Sequence, residues 1–240
     1  MKITLLMICA ACAWAQSRIE VPTLGAVVDS SGGLRPVQGV AGNFLLGPAT
    51  VPGVLSAACS DQLCLAKTNS KILSPTGETD APPGPALFSV QARDALVFFP
   101  ETRMFARWHD DVLDPLDWPV ESEVLSVHGG GADADIAVRR DANVWIVHPD
   151  GSVVDWIANT AGPVLLLGEG VLFATTDQVI LRRSDASEVR FDLPGAESIA
   201  AMGPHYAAIR AGGATYALRT ESGRESLLLL PMSLEAGGIP

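Results

Sequence analysis

The residues with the most direct chemical potential form one glycine-rich stretch, Gly129-Gly130-Gly131-Ala132-Asp133-Ala134-Asp135. Two carboxylates in such a loop could ligate Ca²⁺, which takes about six to eight oxygen ligands in proteins. The Asp-x-Asp-x-Asp-Gly order and the distal Glu of a calcium loop are missing, as is the Gly-Lys-Ser/Thr end of a phosphate loop. The stretch therefore favours an exposed turn between strands over a metal site.

Histidine and serine chemistry is not indicated by spacing. None of His109, His128, His148 and His205 is paired at i, i+2 or i, i+4, so no zinc motif exists, and no Gly-x-Ser-x-Gly string occurs. In Trp108-His109-Asp110-Asp111 an imidazole precedes two acids, but neighbours on a strand point to opposite faces. The sequence predicts no catalytic residue, no metal site and no cofactor.

Two cysteines close together have a structural interpretation. Cys59 and Cys64 bracket a polar turn, and they are the pair left after an N-terminal leader is removed. A Cys-x-x-Cys redox motif is absent, and no further cysteine or histidine lies nearby for a metal. We predict a Cys59–Cys64 disulfide across a hairpin, in an oxidising compartment.

The N-terminus has the pattern of a secretory signal peptide: Met1-Lys2, a short apolar run and Ala13-Trp14-Ala15. The apolar run is about half the ~20 residues of a membrane-spanning helix. We predict a signal peptide over 1–15, a single mature domain over 16–240 and a secreted or periplasmic location. Lipidation at Cys12 or Cys9 remains a weaker alternative, because the residues before each depart from the usual signal.

The charge of the chain restricts its partners. The formal net charge is −11, and no run of Lys or Arg exceeds two residues. Nucleic-acid binding and docking on anionic lipid both depend on clustered cations. We therefore expect no nucleic acid and no membrane insertion after signal removal, whereas a protein or a glycan remains a possible partner.

Short apolar runs, separated by Gly, Asp, Asn, Pro or Ser, repeat along the chain. This spacing is typical of β-strands, and no stretch keeps the 3.6-residue period of a helix. The clearest group of four strands runs from Glu123 to Ile157. Groups of this kind begin near Val54, Ala86, Val124, Val164 and Ser198, 32 to 40 residues apart.

A polar turn between the third and fourth strands marks each group. In the fullest copy, Pro149-Asp150-Gly151, proline presets φ, aspartate bonds local amides and glycine takes a positive φ. Counting Gly32, such turns fall near residues 32, 77, 111, 151, 187 and 223. A fixed period of this length is typical of repeat β architectures.

These turns and strands resemble the β-propeller-like repeat regions of exported bacterial proteins. The resemblance implies an all-β propeller and transfers no functional residue. The sequence contains six such turns but only five complete groups of four strands. The additional turn lies in the segment from Arg18 to Val40. We predict about six four-stranded blades, one of them incomplete, with five blades as the alternative. The tail Met232 to Pro240 adds at most one short strand.

One rim of such a propeller carries the second-to-third strand turns and the connections between blades. Function usually lies on loops held by a rigid scaffold. The alternative for each charged residue on this rim is that it is an ordinary solvent-exposed loop residue without a binding role. The residues predicted to bind on this rim are Glu101, Arg103, Trp118, Arg139, Arg140, Asp141, Asp177 and Arg210.

Three tryptophans could form a saccharide platform. Trp145 and Trp156 fall inside predicted strands, which favours packing between blades, whereas Trp118 lies in a connection and is the better surface candidate.

Three classes of function remain. The first is a non-enzymatic binding or scaffold module. The second is a hydrolase or lyase whose residues converge at the axis from separate loops, which predicts two or more carboxylates with perturbed pKa in an axial pocket. The third is an accessory subunit that uses the unpaired strand edges of the incomplete blade.

Overall fold

The computed structural model describes residues 22–231, in which the regular structure is β apart from one 3₁₀ turn, Gly131–Asp133. The predicted signal peptide and the tail from Met232 onward lie outside these residues. The strands form six antiparallel sheets in chain order, which we number blade 1 to blade 6. Within this range no helix is long and apolar enough to cross a bilayer.

The strands of the first three blades are β1 (Thr23–Val28), β2 (Leu34–Val40) and β3 (Asn43–Leu46); β4 (Ser56–Cys59), β5 (Cys64–Lys67), β6 (Lys71–Leu73) and β7 (Glu78–Asp80); and β8 (Leu87–Gln91), β9 (Asp94–Phe99), β10 (Met104–His109) and β11 (Val112–Leu116). Those of the last three are β12 (Glu123–His128), β13 (Asp135–Arg140), β14 (Asn143–Val147) and β15 (Val153–Ile157); β16 (Val164–Leu167), β17 (Gly170–Ala174), β18 (Gln178–Arg183) and β19 (Glu188–Asp192); and β20 (Ala196–Gly203), β21 (Tyr206–Ala211), β22 (Ala214–Arg219) and β23 (Ser226–Leu229).

The six sheets stand around one axis, because the first strands of successive four-stranded blades contact each other and β20 returns to β4. The fold is a β-propeller of six blades, as predicted, and the alternative of five blades is wrong. Blade 1 is the incomplete one, with three strands in the described part of the chain. The predicted starts of the other five blades lie within two residues of the observed first strands.

Burial explains why these sequences form these strands. In β9 every residue after Asp94 is buried, because blades cover both faces of the sheet. The fourth strand β19 instead alternates exposed and half-buried residues, because it lies at the outer edge. Continuous apolar runs therefore mark inner strands, and alternation marks outer ones.

Serine side chains join the first strands of neighbouring blades. The Oγ of Ser56 accepts a hydrogen bond from the amide of Ala86 at 3.0 Å. The Oγ of Ser126 accepts one from the amide of Leu166 at 2.9 Å. A third bond runs from the amide of Gly129 to the Oγ of Ser89 at 3.0 Å. These bonds link blade 2 to blade 3, blade 3 to blade 4 and blade 4 to blade 5.

Strand β1 of blade 1 runs antiparallel to its neighbours β20 and β4, which are the first strands of blades 6 and 2. Its strand β1 begins next to the end of β20, since a Cβ built on Gly203 would lie 2.0 Å from the carbonyl oxygen of Leu24. It ends next to the start of β4, where the amide of Val54 donates to the carbonyl of Gly32 at 2.8 Å. The strands β1, β2 and β3 therefore take the second, third and fourth positions of a blade, and the five first strands close on themselves.

This placement corrects one expectation about the turns. The turn at Gly32 joins β1 to β2, so in position it is a second-to-third turn and lies on the opposite side of the propeller from the other five. Its local sequence resembles theirs because a hairpin turn depends on its own residues and not on the position of its strands.

The interfaces between blades differ in one place. Apolar clusters fill the spaces between blades 2 and 3, 3 and 4, 4 and 5, 5 and 6, and 6 and 1. Between blades 1 and 2 the described residues form no such cluster, and a cavity of about 530 Å³ is bordered there by blades 1, 2 and 6. Its walls include Pro36 of blade 1, Tyr206 of blade 6 and the Cys59–Cys64 disulfide, which joins β4 to β5 as predicted.

Candidate functional site

We call the side of the propeller that carries the second-to-third turns and the blade connections the connection face. A cavity of about 490 Å³ lies on the axis and reaches this face, because Val54, Ala86 and Val164 at the starts of the first strands line it. Much of the remaining wall is apolar with small side chains, among them Ala57 and Ala200. The cavity can therefore take a small ligand group or a protruding side chain from a partner.

Asp29 lies where the β1–β2 turn meets this cavity. Its Oδ1 accepts hydrogen bonds from the amide of Ser31 at 2.9 Å, the hydroxyl of Ser31 at 2.6 Å and the amide of Gly33 at 2.8 Å. Its Oδ2 accepts one from Nε of Arg35 at 2.5 Å. These donors, led by the Ser31 hydroxyl, hold the pKa of Asp29 well below its ordinary value. The carboxylate stays ionised and is already engaged.

The hydrolase or lyase alternative predicted at least two carboxylates around the axial pocket. Among the described residues that line the cavity, Asp29 is the one carboxylate. Its hydrogen bonds are all made within the β1–β2 hairpin, and the second carboxylate that this alternative predicts does not occur among these lining residues.

The predicted rim residues lie in the loops from which they were predicted. Glu101 and Arg103 lie in the β9–β10 turn, and Asp177 lies in the β17–β18 turn. The β13–β14 hairpin carries Arg139, Arg140 and Asp141. Arg210 lies near the end of β21 and also lines the axial cavity, and Trp118 lies in the connection from β11 to β12.

Three of these arginines hold backbone carbonyls. Arg103 donates through Nη2 to the carbonyl of Val120 at 2.6 Å. Arg139 donates through Nη1 to the carbonyl of Thr160 at 2.6 Å and through Nη2 to that of Gly162 at 3.2 Å.

The Nη2 of Arg210 donates a hydrogen bond to the carbonyl of Val28 at 3.4 Å. Arg103 and Arg139 thus fix the connections to the following blades, and Arg210 ties blade 6 to blade 1. The exposed charges among the predicted residues are Glu101, Arg103, Arg140, Asp141 and Asp177.

The tryptophans are arranged differently from the sequence interpretation. Trp118 is half-buried and packs on Phe105, with ring centroids 5.3 Å apart. Trp156, expected between blades, is 51% exposed on the outer strand of blade 4. Its strand position was predicted correctly, but a fourth strand has an uncovered outer part, so position within a strand did not imply burial.

The histidines do not converge. The Nδ1 of His109 lies 3.6 Å from the Oδ2 of Asp114, and the Nδ1 of His148 lies 3.5 Å from the Oδ1 of Asp135. Each of these histidines thus faces one carboxylate. Burial lowers the pKa of His128, with a smaller opposing effect from the Asp135 carboxylate. Within residues 22–231 no group of three metal-ligating side chains occurs, and the glycine-rich stretch forms the 3₁₀ turn and its flanks.

Sequence reasoning missed one buried cation. Lys67 has no exposed surface, and its Nζ donates to the carbonyls of Thr68 at 2.7 Å and Asn69 at 3.0 Å. Burial lowers the pKa of Lys67, while the Glu101 carboxylate acts in the opposite direction. Its position at the end of an apolar strand was the only available signal, and a surface lysine would look the same in sequence.

Solved structures share this architecture. One is the fungal lectin of Aleuria aurantia, described as a six-bladed β-propeller with a novel fucose recognition mode; the TM-score is 0.59 at 12% identity, over 89% of this chain and 92% of the lectin. Another is PorZ, an essential bacterial surface component of the type-IX secretion system of Porphyromonas gingivalis, with a TM-score of 0.50 at 12% identity over 87% of this chain. This chain spans only 31% of the PorZ chain. No family model and no curated protein matches it, so the likeness shows the fold alone.

Proposed function

We infer that this protein is an exported binding module, without catalytic activity, that recognises a protein or a glycan through the connection face. The axial cavity carries this proposal. It combines mostly apolar walls with a few fixed polar groups, a composition typical of binding pockets, and its one carboxylate is engaged within its own turn.

Two features support export. The disulfide between Cys59 and Cys64 belongs to an oxidising compartment. The N-terminal residues have the pattern of a signal peptide, with cleavage proposed after Ala15. Both point to a secreted or periplasmic protein.

The similar propellers give the partner classes their support. One of them is a lectin described by its fucose recognition, and another is a bacterial surface component of a secretion system. Exposed charges on the connection face, among them Asp141 and Asp177, would set the specificity of such a contact.

A variant that fills the cavity tests the proposal. Ser198 is exposed on the first strand of blade 6 and lines the cavity, so Ser198→Phe places an aromatic ring in it. We expect Ser198→Phe to lower the capture of partners from an envelope extract by about tenfold, a loss of about 1.4 kcal/mol in binding. Quantitative mass spectrometry of the captured material provides the measurement.

Ser198→Ala is the matched control, because it leaves the cavity open. Asp61→Lys is a second control, since Asp61 is an exposed residue of the disulfide turn on the opposite side of the propeller. Equal capture by all three variants and the unmodified protein would count decisively against the connection face.

A further inference from the structure

An aromatic ladder crosses the face of blade 4 that is turned toward blade 3. Trp145 on β14 and Trp156 on β15 are direct cross-strand partners. Their rings are stacked, with centroids 6.0 Å apart and planes at 26°. The guanidinium of Arg140, on β13, lies 5.9 Å from the Trp145 ring. Three neighbouring strands thus each contribute one member.

The two ends of this ladder differ in burial. Trp145 packs against the apolar cluster between blades 3 and 4, so its ring is held in place from below. Trp156 is 51% exposed. A ring that is fixed by stacking and open to solvent is preorganised, because little side-chain freedom remains to be lost on binding.

The outer strand of blade 4 is unusual among its counterparts. In β19 the exposed positions are charged, which protects an edge strand from association. In β15 the exposed positions include Val153, Val154 and Trp156. Of the eight exposed large apolar side chains in the described residues, three therefore lie on this one strand, and Trp156 is the only aromatic one.

The size of the patch selects its occupant. A stable protein interface buries about 800 Å² on each partner. A half-exposed indole offers about 100 Å², given the roughly 150–250 Å² of a whole aromatic side chain. Even together with the half-exposed Val153 and Val154, this apolar area stays well below what a stable protein interface buries on one partner. The indole area matches one sugar ring, whose C–H face can stack on the electron-rich indole face.

The nearby charges favour a neutral ligand. Arg140 is exposed and can donate hydrogen bonds to hydroxyl groups beside the ladder. The neighbouring Arg182 is paired with Asp155, Nη2 to Oδ2 at 2.6 Å, and the chain carries a net charge of −11. A polyanionic sugar would find only Arg140 as an exposed cation of the ladder and would be repelled by the net negative charge of the chain. A neutral sugar is therefore favoured.

We propose that the Arg140–Trp145–Trp156 ladder is a binding site for a neutral saccharide. One pyranose ring of an oligosaccharide stacks on the exposed face of Trp156, and Arg140, at the other end of the ladder, bonds hydroxyls of a further ring. The site lies at the outer edge of blade 4 and is separate from the axial cavity. It shares Arg140 with the connection face but none of the residues that line the axial cavity, on which the proposed function rests.

The test begins with a printed array of neutral and anionic oligosaccharides, followed by calorimetric titration of the strongest soluble neutral one. We expect binding that Trp156→Ala weakens by about tenfold or more and that Trp156→Phe largely retains. Arg140→Gln should weaken it several-fold. Leu229→Ala, which removes an exposed apolar side chain from the outer strand of blade 6, is the matched control and should change nothing.

Folding does not confound these variants, because the Trp156 side chain is half in solvent and its removal can be checked by thermal unfolding. Ser198→Phe should bind the saccharide normally, which separates this site from the axial cavity. The proposal is overturned if no neutral saccharide binds, if only anionic ones bind, or if Trp156→Ala binds as tightly as the unmodified protein.

Discussion

Short polar side chains stabilise this molecule by bonding backbone amides. Asp29, Asp150 and Asp185 each accept a hydrogen bond from the amide two residues ahead, at 2.9 Å in all three turns. This is the Asx turn, in which a carboxylate replaces a backbone carbonyl. The pKa of each carboxyl is lowered accordingly, mainly by the hydrogen bond from the side chain of the serine two residues ahead.

The Asp29 turn predicts a dependence of stability on pH. A carboxyl whose pKa is lowered by folding contributes stability above its ordinary pKa of 3.8 and loses it as pH falls toward the lowered value. We expect Asp29→Asn to lower the free energy of unfolding at pH 7 by about 1 kcal/mol, since charged hydrogen bonds are replaced by weaker neutral ones.

Urea unfolding between pH 7 and pH 2 provides the measurement. Below about pH 4 the difference between Asp29→Asn and the unmodified protein should shrink, because protonation removes the same charge. A difference that stays constant over this range would show that the charge of Asp29 makes no contribution.

The serine bonds between blades predict a second loss of stability. Ser126 is 4% exposed and Leu166 is 6% exposed, so Ser126→Ala leaves a buried amide without its acceptor. An unsatisfied buried donor costs about 1–3 kcal/mol. We expect urea unfolding to show a loss of this size for Ser126→Ala and almost none for Ser198→Ala, which removes an exposed hydroxyl. Similar losses in the two variants would contradict the assignment.

At the scale of elements, the tightest contact in the ring joins β1 to the end of β20. A Cβ on Gly25 would lie 1.8 Å from the carbonyl oxygen of Met202, and one on Gly203 would lie 2.0 Å from that of Leu24. The two backbones meet where no side chain fits. This contact joins blade 1 to blade 6 at the inner edge of the three-stranded sheet.

Gly203→Ala should therefore loosen blade 1. The added methyl group must displace backbone, and overpacking of this kind costs about 1–3 kcal/mol. We expect a lower midpoint of urea unfolding and faster cleavage of the β1–β2 hairpin in limited proteolysis. Gly130→Ala is the control, because its Cβ would meet no atom within 4 Å and its φ is −159°, in extended backbone. Equal cleavage of the two variants would contradict the role of this contact.

The strands of blades 2 to 6 were predictable because they depend on local patterns. Continuous apolar runs and Gly, Asp or Pro turns identify the group from Glu123 to Ile157 with its boundaries nearly correct. The position of β1 was not predictable, because a hairpin sequence does not state which pair of strands it joins. The exposure of Trp156 and the carbonyl contacts of Arg103 and Arg139 depend on neighbouring blades and have no local signal.

At the scale of the whole molecule, the architecture followed from periodicity, whereas the function did not. Six similar blades bury one another's faces, so most residues with a conspicuous type serve packing. The rim residues were predicted from topology alone, and their binding role remains a proposal. What the structure adds is a distinction within that set between Arg103, Arg139 and Arg210, which hold backbone, and Asp141 and Asp177, for which no such bond is present.

The unfilled interface between blades 1 and 2 changes how the ring responds to stress. A repeat in which each unit touches only its neighbours has a stability that is close to a sum of unit and interface contributions. The joint between blades 1 and 2 adds little apolar burial to that sum, because a cavity of about 530 Å³ beside the Cys59–Cys64 disulfide takes the place of an apolar cluster. The first strands β4 and β20 still contact each other there, and the amide of Val54 still bonds the carbonyl of Gly32. Backbone contacts therefore hold the ring closed at the joint where apolar packing contributes least.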